Sequence, residues 1–358
     1  MRVLFAALLI GLSAPALAQS AIPTRAIIEG AIDGYIRPSF AQLAEESGSL
    51  ETNIKALCTE PSADALTLSQ NQFRSTVIAF SRAEFLRIGP LGVGDQLERL
   101  LFWPDRKGIA LRQVQAALAE QDPTAATAGT LANKSVAMQG LVALEYLLFG
   151  TGSEQLATAD GAYRCSYAAA SATLIHGLAG TINAEWQDAT PGGAAGRLLN
   201  PQPGYDDYRT ETEVLEKLAA TLIHGTEAIR DQRVSPILSE APGAPKPKSA
   251  LFWRSGMTVP ALAADFAGLH DFFVAAKYPE AIGADNEWVA NGAAFEFQNA
   301  ARAAAAITEP MEQAVADPKQ LQALKYLVII TGSLDTLLGQ NLAAALGLSV
   351  GFSTLDGD

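Results

Sequence analysis

Apolar residues recur along most of the chain at the three- and four-residue spacing of an amphipathic helix. Residues 109–120 (IALRQVQAALAE) show the pattern and are rich in Ala, Leu and Gln, which favour helices. No segment longer than a few residues alternates apolar and polar positions in the manner of a strand. The pattern predicts an all-α fold, with recurring long helices such as 109–120, 131–149, 166–187, 210–230, 260–277, 288–307 and 320–346.

Two segments rich in Gly and Pro interrupt the helical pattern. They cover residues 188–207 and 239–250, and both residue types disfavour the continuation of a helix. A chain of 358 residues is long enough for two domains or for a pair of packed bundles. We therefore expect two packed helical-bundle halves, residues 19–196 and 197–358, with the second break as a surface loop.

The first 20 residues have the layout of a cleavable secretory signal. A basic Arg2 precedes an apolar stretch over residues 3–12, and the small residues Ala16 and Ala18 follow. We expect a signal peptide over residues 1–18. No later segment reaches the roughly 18 uninterrupted apolar residues of a membrane span, so we expect an exported protein without a transmembrane segment.

The chain contains two cysteines, Cys58 and Cys165, far apart in sequence. In an oxidising compartment an even pair favours one disulfide, which would clamp the first half of the chain. Two buried free thiols are the alternative, because free cysteine is commonly buried.

The charge balance is acidic, with 25 Lys and Arg against 38 Asp and Glu. The only short basic run is PKPK at residues 245–248. Nucleic acid is therefore not an expected partner, because binding it depends on clustered cations that neutralise phosphates. The net charge of −13 suits a cationic ligand better, although net charge alone does not define specificity.

One carboxylate stands in the apolar stretch GLVALEYLLFG at residues 140–150. On a helix, Val142, Glu145 and Phe149 share one face, and leucines cover the neighbouring face. An ionised carboxylate in such surroundings costs several kcal/mol unless it is paired, hydrogen-bonded, metal-bound or protonated. Glu145 is therefore either half of a buried ion pair or part of a functional site. The candidate ion-pair partners are Arg74, Arg82, Arg87 and Arg254.

Several stretches together resemble the imelysin family, in matching order over nearly the whole mature chain. They are GLVALEYLLFG, RIGPL (87–91), FWPDRKG (102–108), the two cysteines, FWRSG (252–256) and GFSTLDGD (351–358). The resemblance implies an exported all-helical protein of the periplasm, with two bundle-like halves, a site between them and a link to iron uptake. Some members of this family were described as insulin-cleaving peptidases.

The family's Gly-x-His-x-x-Glu motif is proposed to bind metal, since His and Glu three residues apart face the same way on a helix. Gly140 and Glu145 match this motif, but Val142 stands at the histidine position. Valine has no lone pair for a metal, so the chain is similar to a branch of the family that lacks the histidine. The resemblance leaves the cofactor open, with iron as the candidate and Glu145 as the only motif residue that could bind a metal.

Other recognisable catalytic patterns are absent or incomplete in the sequence. No His-Glu-x-x-His is present. His224 and Glu227 reproduce the His-x-x-Glu spacing without the family's surrounding residues, and we interpret this as a coincidence. The Gly-x-Ser-x-Gly string at 347–351 follows a predicted helix, whereas a nucleophile elbow follows a strand, so Ser349 is interpreted as a helix-end residue.

The resemblance implies a ligand-binding cleft around Glu145, formed by the matching stretches. An alternative for FWPDRKG is purely structural, with Trp103 in the core and Asp105 capping the next helix. Arginine suits a carboxylate partner because its guanidinium binds bidentately. The expected cleft residues besides Glu145 are Arg87, Trp103, Arg106, Arg254, Ser255 and Asp356.

Two functions from different classes follow. The first is a non-catalytic periplasmic protein of iron uptake or homeostasis, which binds a small ligand or an iron-uptake protein of the periplasm or membrane in this cleft. The second is a metal-dependent peptidase of the imelysin type, for which the missing histidine is unfavourable. A third hypothesis treats Glu145 as structural and assigns the function to the outer surface.

Overall fold

The computed structural model of the protein describes residues 21–239 and 243–348. Every regular element in these two ranges is helical, and the predicted all-α fold is confirmed. The expected signal peptide, Ser349 and Asp356 lie outside the described residues. The α-helices are α1 (Thr24–Ala31), α2 (Arg37–Thr59), α3 (Ala63–Ala83), α4 (Gln96–Leu100), α5 (Ile109–Glu120), α6 (Ala128–Leu131), α7 (Gly140–Phe149), α8 (Ala162–Gln187), α9 (Ala194–Leu199), α10 (Glu211–Ala228), α11 (Ser235–Leu238), α12 (Thr258–Ala275), α13 (Tyr278–Ala281), α14 (Glu287–Ala305), α15 (Met311–Ala314), α16 (Pro318–Leu334) and α17 (Ala343–Ala345).

Short 3-10 and π-helical segments connect or extend these helices. The 3-10 segments are Gly89–Gly92, Val136–Met138, Ser153–Ala157, Ala159–Gly161, Pro247–Ser249 and Ala284–Asn286. The π-helical segments are Ile32–Ile36, Ile229–Val234 and Asp335–Leu342. The predicted helix over 320–346 is therefore α16, a π-helical segment and α17 in succession. The predicted helix over 131–149 is divided into a 3-10 turn and α7.

Helices α2, α3 and α8 form the centre of the first half, with α2 packed along both of the others. The buried positions of α2 follow helical spacing and include Phe40, whose ring stacks on Trp186 of α8 at 6.1 Å between centroids. A disulfide joins Cys58 near the end of α2 to Cys165 near the start of α8, with Cα atoms 5.5 Å apart. The predicted disulfide is therefore confirmed.

Helices α10, α12, α14 and α16 form most of the second half. Helix α14 packs against α12 and α16, and α10 packs against the segment Asp335–Leu342. By length and composition one described segment, Pro318–Ala345, could cross a membrane, and 33% of its most apolar window is buried. Apolar core helices of soluble proteins pass the same test.

The hydrophobic core continues from one half into the other, mainly where α12 packs on α3. Gly268 of α12 allows a close approach, because a Cβ at this position would lie 2.9 Å from the Arg82 carbonyl oxygen. Beside it, the rings of Tyr35 and Phe85 each pack edge-on against the ring of Phe272, with centroids 5.7 and 5.6 Å away. The Tyr35 and Phe85 rings also contact each other in a tilted arrangement at 5.9 Å. The two halves therefore share one core.

One of the two expected loops contains a short helix in the structure. Residues 188–207 are not loop throughout, because α9 lies in their middle and buries Ala195 and Leu198. The boundary suggested at residues 196 and 197 falls inside this helix, and the division into halves remains a prediction. In the described part of the second break, the regular structure consists of the 3-10 turn Pro247–Ser249.

Candidate functional site

The short helix α7 carries Glu145 into the interior of the protein. Eight of its ten residues are buried, and Val142 and Phe149 are half-buried. Its first residue, Gly140, has φ +70°, and a Cβ there would lie 2.4 Å from the Arg99 carbonyl oxygen. Glycine is therefore required at this position for α7 to begin against the end of α4.

A tight turn before α12 faces Glu145 from the second half of the chain. The Met257 N–H donates to the Phe252 carbonyl oxygen at 2.9 Å, and the Thr258 hydroxyl donates to the Leu251 carbonyl oxygen at 2.7 Å. The turn fixes the backbone of Ser255, whose side chain is also buried. The stretch FWRSG therefore contributes a rigid turn that aims Ser255 at α7.

Ser255 supplies two hydrogen bonds to one oxygen of the Glu145 carboxylate. Its backbone N–H donates to Glu145 Oε1 at 2.9 Å, and its hydroxyl donates to the same oxygen at 2.8 Å. Burial raises the pKa of Glu145, and the Ser255 hydrogen bonds and the charge of Arg254 oppose this shift. Glu145 is only 2% exposed, so these two donors are its main compensation for lost hydration.

The buried ion pair, one of the two interpretations of Glu145, is not formed among the described residues, because no Lys or Arg nitrogen lies within 4.0 Å of the Glu145 carboxylate. The four candidate arginines contact other groups. Arg74 Nε donates to the Ser255 carbonyl oxygen at 3.3 Å, Arg82 pairs with Asp271, Arg87 Nη2 donates to Gln232 Oε1 at 3.3 Å, and Arg254 stacks on the Trp253 ring at 4.5 Å. Hydrogen bonds from Ser255 stand where the sequence suggested an arginine.

A cavity of about 310 Å³, which we call the Glu145 cavity, opens beside this carboxylate. Its walls come from both halves of the chain, and four of the expected cleft residues line it: Trp103, Arg106, Glu145 and Arg254. Ser255 does not line the cavity, but its backbone N–H donates a hydrogen bond to Glu145. The remaining lining residues are Pro104, Asp105, Gly108, Ala110, Leu111, Val142, Pro236, Lys248, Ser249, Ala250, Leu251, Phe252 and Trp253.

The charged groups of the Glu145 cavity are mostly basic. Three cations line it, Arg106, Lys248 and Arg254, against the carboxylates Asp105 and Glu145. Both oxygens of Asp105 accept backbone N–H groups at the start of α5, at 2.8 Å each, so its capping role holds. Glu145 Oε1 is likewise occupied by its hydrogen bonds from Ser255, and Lys248 Nζ lies 3.3 Å from Glu312 Oε1, so the cations left to meet a ligand are Arg106 and Arg254.

Two tryptophans give the cavity flat apolar walls. Trp103 is half-buried, and its Nε1 donates to the Gln232 backbone oxygen at 2.9 Å. Trp253 lies between two cations, with Arg254 at 4.5 Å and Lys248 at 5.4 Å from its ring centre. Trp253 and Lys248 were not among the expected site residues, although Trp253 belongs to FWRSG and Lys248 to the basic run just before it.

Arg87 does not reach the Glu145 cavity. Its Nη2 donates to the side chain of Gln232, whose backbone oxygen accepts from Trp103, so Gln232 separates Arg87 from the cavity. Arg87 lines a different cavity with His224 and Lys217. The arginine of RIGPL is therefore not brought into the cleft that the resemblance implied. Asp356 lies outside the described residues.

The residues around Glu145 do not form a protein metal site. Val142 lines the cavity at the motif position where a histidine would supply a nitrogen, and valine has no lone pair. Within residues 21–239 and 243–348, no group of three or more His, Cys, Asp or Glu side chains is placed to hold a metal ion. The donor set therefore does not fit a metal held by protein ligands alone.

Comparison with known proteins identifies the family of this chain. The family model of imelysin matches residues 36–338. An imelysin-like protein from Psychrobacter arcticum 273-4 superposes with a TM-score of 0.77 at 19% identity, covering 93% of this chain and 99% of that one. A candidate iron-regulated protein A precursor from Parabacteroides distasonis ATCC 8503 gives 0.67 at 12% identity, covering 92% and 98%. No curated protein matches the sequence. The family match over most of the chain, with the helical fold around Glu145, shows that this protein belongs to the imelysin family.

Proposed function

We propose that this protein is a non-catalytic, periplasmic binding protein of iron homeostasis, which takes a small ligand into the Glu145 cavity. The observation that carries the proposal is the cavity itself, about 310 Å³ in volume and lined by residues of both halves. Ligand pockets of roughly 300–1,000 Å³ with apolar walls and a few convergent polar groups are typical of small-molecule sites.

The lining favours an anionic ligand with a flat or apolar body. Arg106 is exposed and makes no hydrogen bond or ion pair to the described residues, so its guanidinium is free to meet a carboxylate. Arg254 and the ring of Trp253 provide a second cation beside a planar surface. An iron complex of an organic polyanion, such as ferric citrate, matches these two cations and the iron connection of the family. Iron is here the cargo, carried by its own chelator.

The same contacts support binding rather than catalysis. A carboxylate that already accepts two hydrogen bonds from Ser255 at one oxygen is held in place, and the other carboxylate of the cavity, Asp105, accepts two backbone N–H groups at the start of α5. General acid-base chemistry needs a positioned proton donor or acceptor within hydrogen-bond reach of the reacting group. A metallopeptidase would also need ligands that Val142 cannot replace.

Export to the periplasm rests on three observations. The disulfide between Cys58 and Cys165 is typical of proteins in an oxidising compartment. The first 18 residues have the layout of a secretory signal, and one structural relative is named as a precursor. We therefore include periplasmic location in the proposal.

The test is calorimetric titration of the mature chain, residues 19–358, with ferric citrate, citrate alone, and iron and zinc salts. We expect saturable binding of ferric citrate that weakens about tenfold in Arg106→Gln, since one charge-assisted contact is lost. Arg112→Gln is the matched control, because Arg112 is exposed on α5 and does not line the cavity.

Two results would contradict the proposal. Stoichiometric binding of iron or zinc salts without a chelator, lost in Glu145→Ala, would show a protein metal site. Metal-dependent hydrolysis of insulin by the purified protein, lost in the same variant, would establish the peptidase alternative.

A further inference from the structure

A second cavity, of about 150 Å³, lies between the loop after α3 and one face of α10. We call it the Lys217 cavity. Its α10 residues follow the spacing of a single helix face, at positions 217, 220, 221 and 224. Its complete lining is Phe85, Arg87, Ile88, Lys217, Ala220, Thr221 and His224.

Every ionisable side chain in this lining is basic, in a protein whose net charge is −13. Burial lowers the pKa of His224, and Lys217 on its own helix and Arg87 across the cavity lower that pKa further. Among the described residues, no carboxylate contributes to the shift in the pKa of His224. Three basic groups therefore face one another without an acid between them.

The basic groups retain hydrogen-bond donors for a ligand. Among the described residues, neither Lys217 nor His224 makes a side-chain hydrogen bond or an ion pair. Arg87 Nε is buried without a hydrogen-bond partner among the described residues, whereas its Nη2 donates to Gln232 Oε1 at 3.3 Å and lies 3.9 Å from Glu84 Oε1. The Thr221 hydroxyl already donates its proton to the Lys217 backbone oxygen at 2.9 Å. The donors left to this cavity are all on cationic side chains.

We propose that the Lys217 cavity binds a small, doubly charged oxyanion of the size of phosphate, held by Arg87, Lys217 and His224. A guanidinium fork and an ammonium are the groups that bind such oxyanions by charge-assisted hydrogen bonds. The cavity is smaller than the pockets of drug-sized ligands, so it selects a compact anion. This site is separate from the Glu145 cavity and does not depend on the function proposed there.

The test follows the three histidine rings by NMR while inorganic phosphate is added at constant ionic strength. The chain has only His176, His224 and His270, so each ring signal can be assigned by single substitution. We expect a saturating shift of the His224 signal alone, and a rise of its pKa when phosphate is bound, because the anion stabilises the charged imidazole. Sodium chloride is the control for ionic strength.

Matched lysine variants make the test specific. Lys217→Gln should weaken phosphate binding about tenfold, because one charge-assisted hydrogen bond is lost. Lys325→Gln removes the same charge from an exposed position on α16 and should change the affinity less than about twofold. Lys217 is exposed, so its variant does not disturb the buried contacts of Arg87 with Glu84.

Three results would overturn the proposal. The first is a His224 signal that does not saturate with phosphate. The second is an equal shift of all three histidines, which would indicate a general salt effect. The third is an equal loss of affinity in Lys217→Gln and Lys325→Gln.

Discussion

At the scale of single residues, the partner of Glu145 decides what this carboxylate does. The sequence marked Glu145 because its neighbours on both helix faces are apolar, and burial of the side chain agrees with that pattern. The sequence suggested an arginine partner, whereas the structure provides the N–H and O–H of Ser255. A neutral partner stabilises the ionised form less than a cation does, so burial dominates and the pKa of Glu145 is raised.

Replacing Glu145 with glutamine tests this assignment. Glu145→Gln keeps an oxygen that accepts from Ser255 and removes the buried charge, so we expect stability at or above wild type at neutral pH. Because the pKa of Glu145 is raised in the folded state, the wild type is most favoured when the carboxyl is protonated and loses stability as pH rises. The advantage of Glu145→Gln should therefore vanish below about pH 4 and grow toward neutral pH.

Urea denaturation between pH 4 and pH 8 measures this difference. Glu145→Ala is the comparison, since it leaves the buried N–H of Ser255 without its acceptor and should cost about 1–3 kcal/mol. A loss of several kcal/mol in Glu145→Gln at neutral pH would instead indicate a cation paired with Glu145.

At the scale of elements, the position of the short apolar helix α7 depends on its first residue, Gly140. It is apolar on nearly all sides, as expected for a helix buried in the core, and so its own pattern gives no preferred outward face. Its direction is set by its first residue, Gly140, whose backbone lies against the end of α4. The same residue matches the family motif, which gives the motif glycine a physical reason.

A substitution at Gly140 should displace α7 and with it Glu145. Gly140→Ala places a Cβ 2.4 Å from the Arg99 carbonyl oxygen at a positive φ, so we expect a loss of at least about 1–2 kcal/mol. The matched control is Gly177→Ala in α8, where a Cβ meets no atom within 4 Å and a gain of about 0.5–1 kcal/mol is expected. Thermal and urea unfolding of both variants measures the contrast, and equal effects would contradict the close approach at Gly140.

At the scale of the whole molecule, a buried ion pair connects the two halves. Arg233, in the π-helical segment Ile229–Val234, pairs with Glu84 just after α3, and their side chains are 4% and 6% exposed. Asp265 of α12 is buried beside them, and burial and the charge of Glu84 raise its pKa. Breaking such a pair leaves a charge without compensation inside the core.

Arg233→Met should therefore destabilise the protein by about 3–5 kcal/mol, because buried Glu84 loses its hydrogen-bonded cation and keeps only Arg87, whose Nη2 is 3.9 Å away. The control is Arg25→Met, which removes the exposed pair of Arg25 with Glu29 at 2.7 Å and should cost less than about 1 kcal/mol. Urea denaturation at neutral pH compares the two. A similar, small effect of both substitutions would show that the Glu84 pair contributes little to joining the halves.

The sequence by itself determined the fold class and the disulfide. Helical periodicity, with Gly and Pro at the breaks, was sufficient for the all-α fold, but the helices predicted by range did not include α2, α3 or α9. Helix α9 is only six residues long and lies within a Gly- and Pro-rich stretch. The disulfide followed from an even number of cysteines and an expected oxidising compartment. These properties are local or compositional, so they can be recognised without knowing which helices pack together.

Only the tertiary structure decided which side chains meet. Trp103, Arg106 and Arg254 converge on Glu145, whereas Arg87 faces Lys217 and His224, although all four stand in stretches that resemble the family. Net charge suggested a cationic ligand, yet both cavities discussed here present mainly cations to their ligands. Net charge sums over the whole surface, while a ligand meets the few groups that packing brings to one cavity. Side-chain direction and the approach of distant segments set that local charge, and neither is encoded in spacing along the chain.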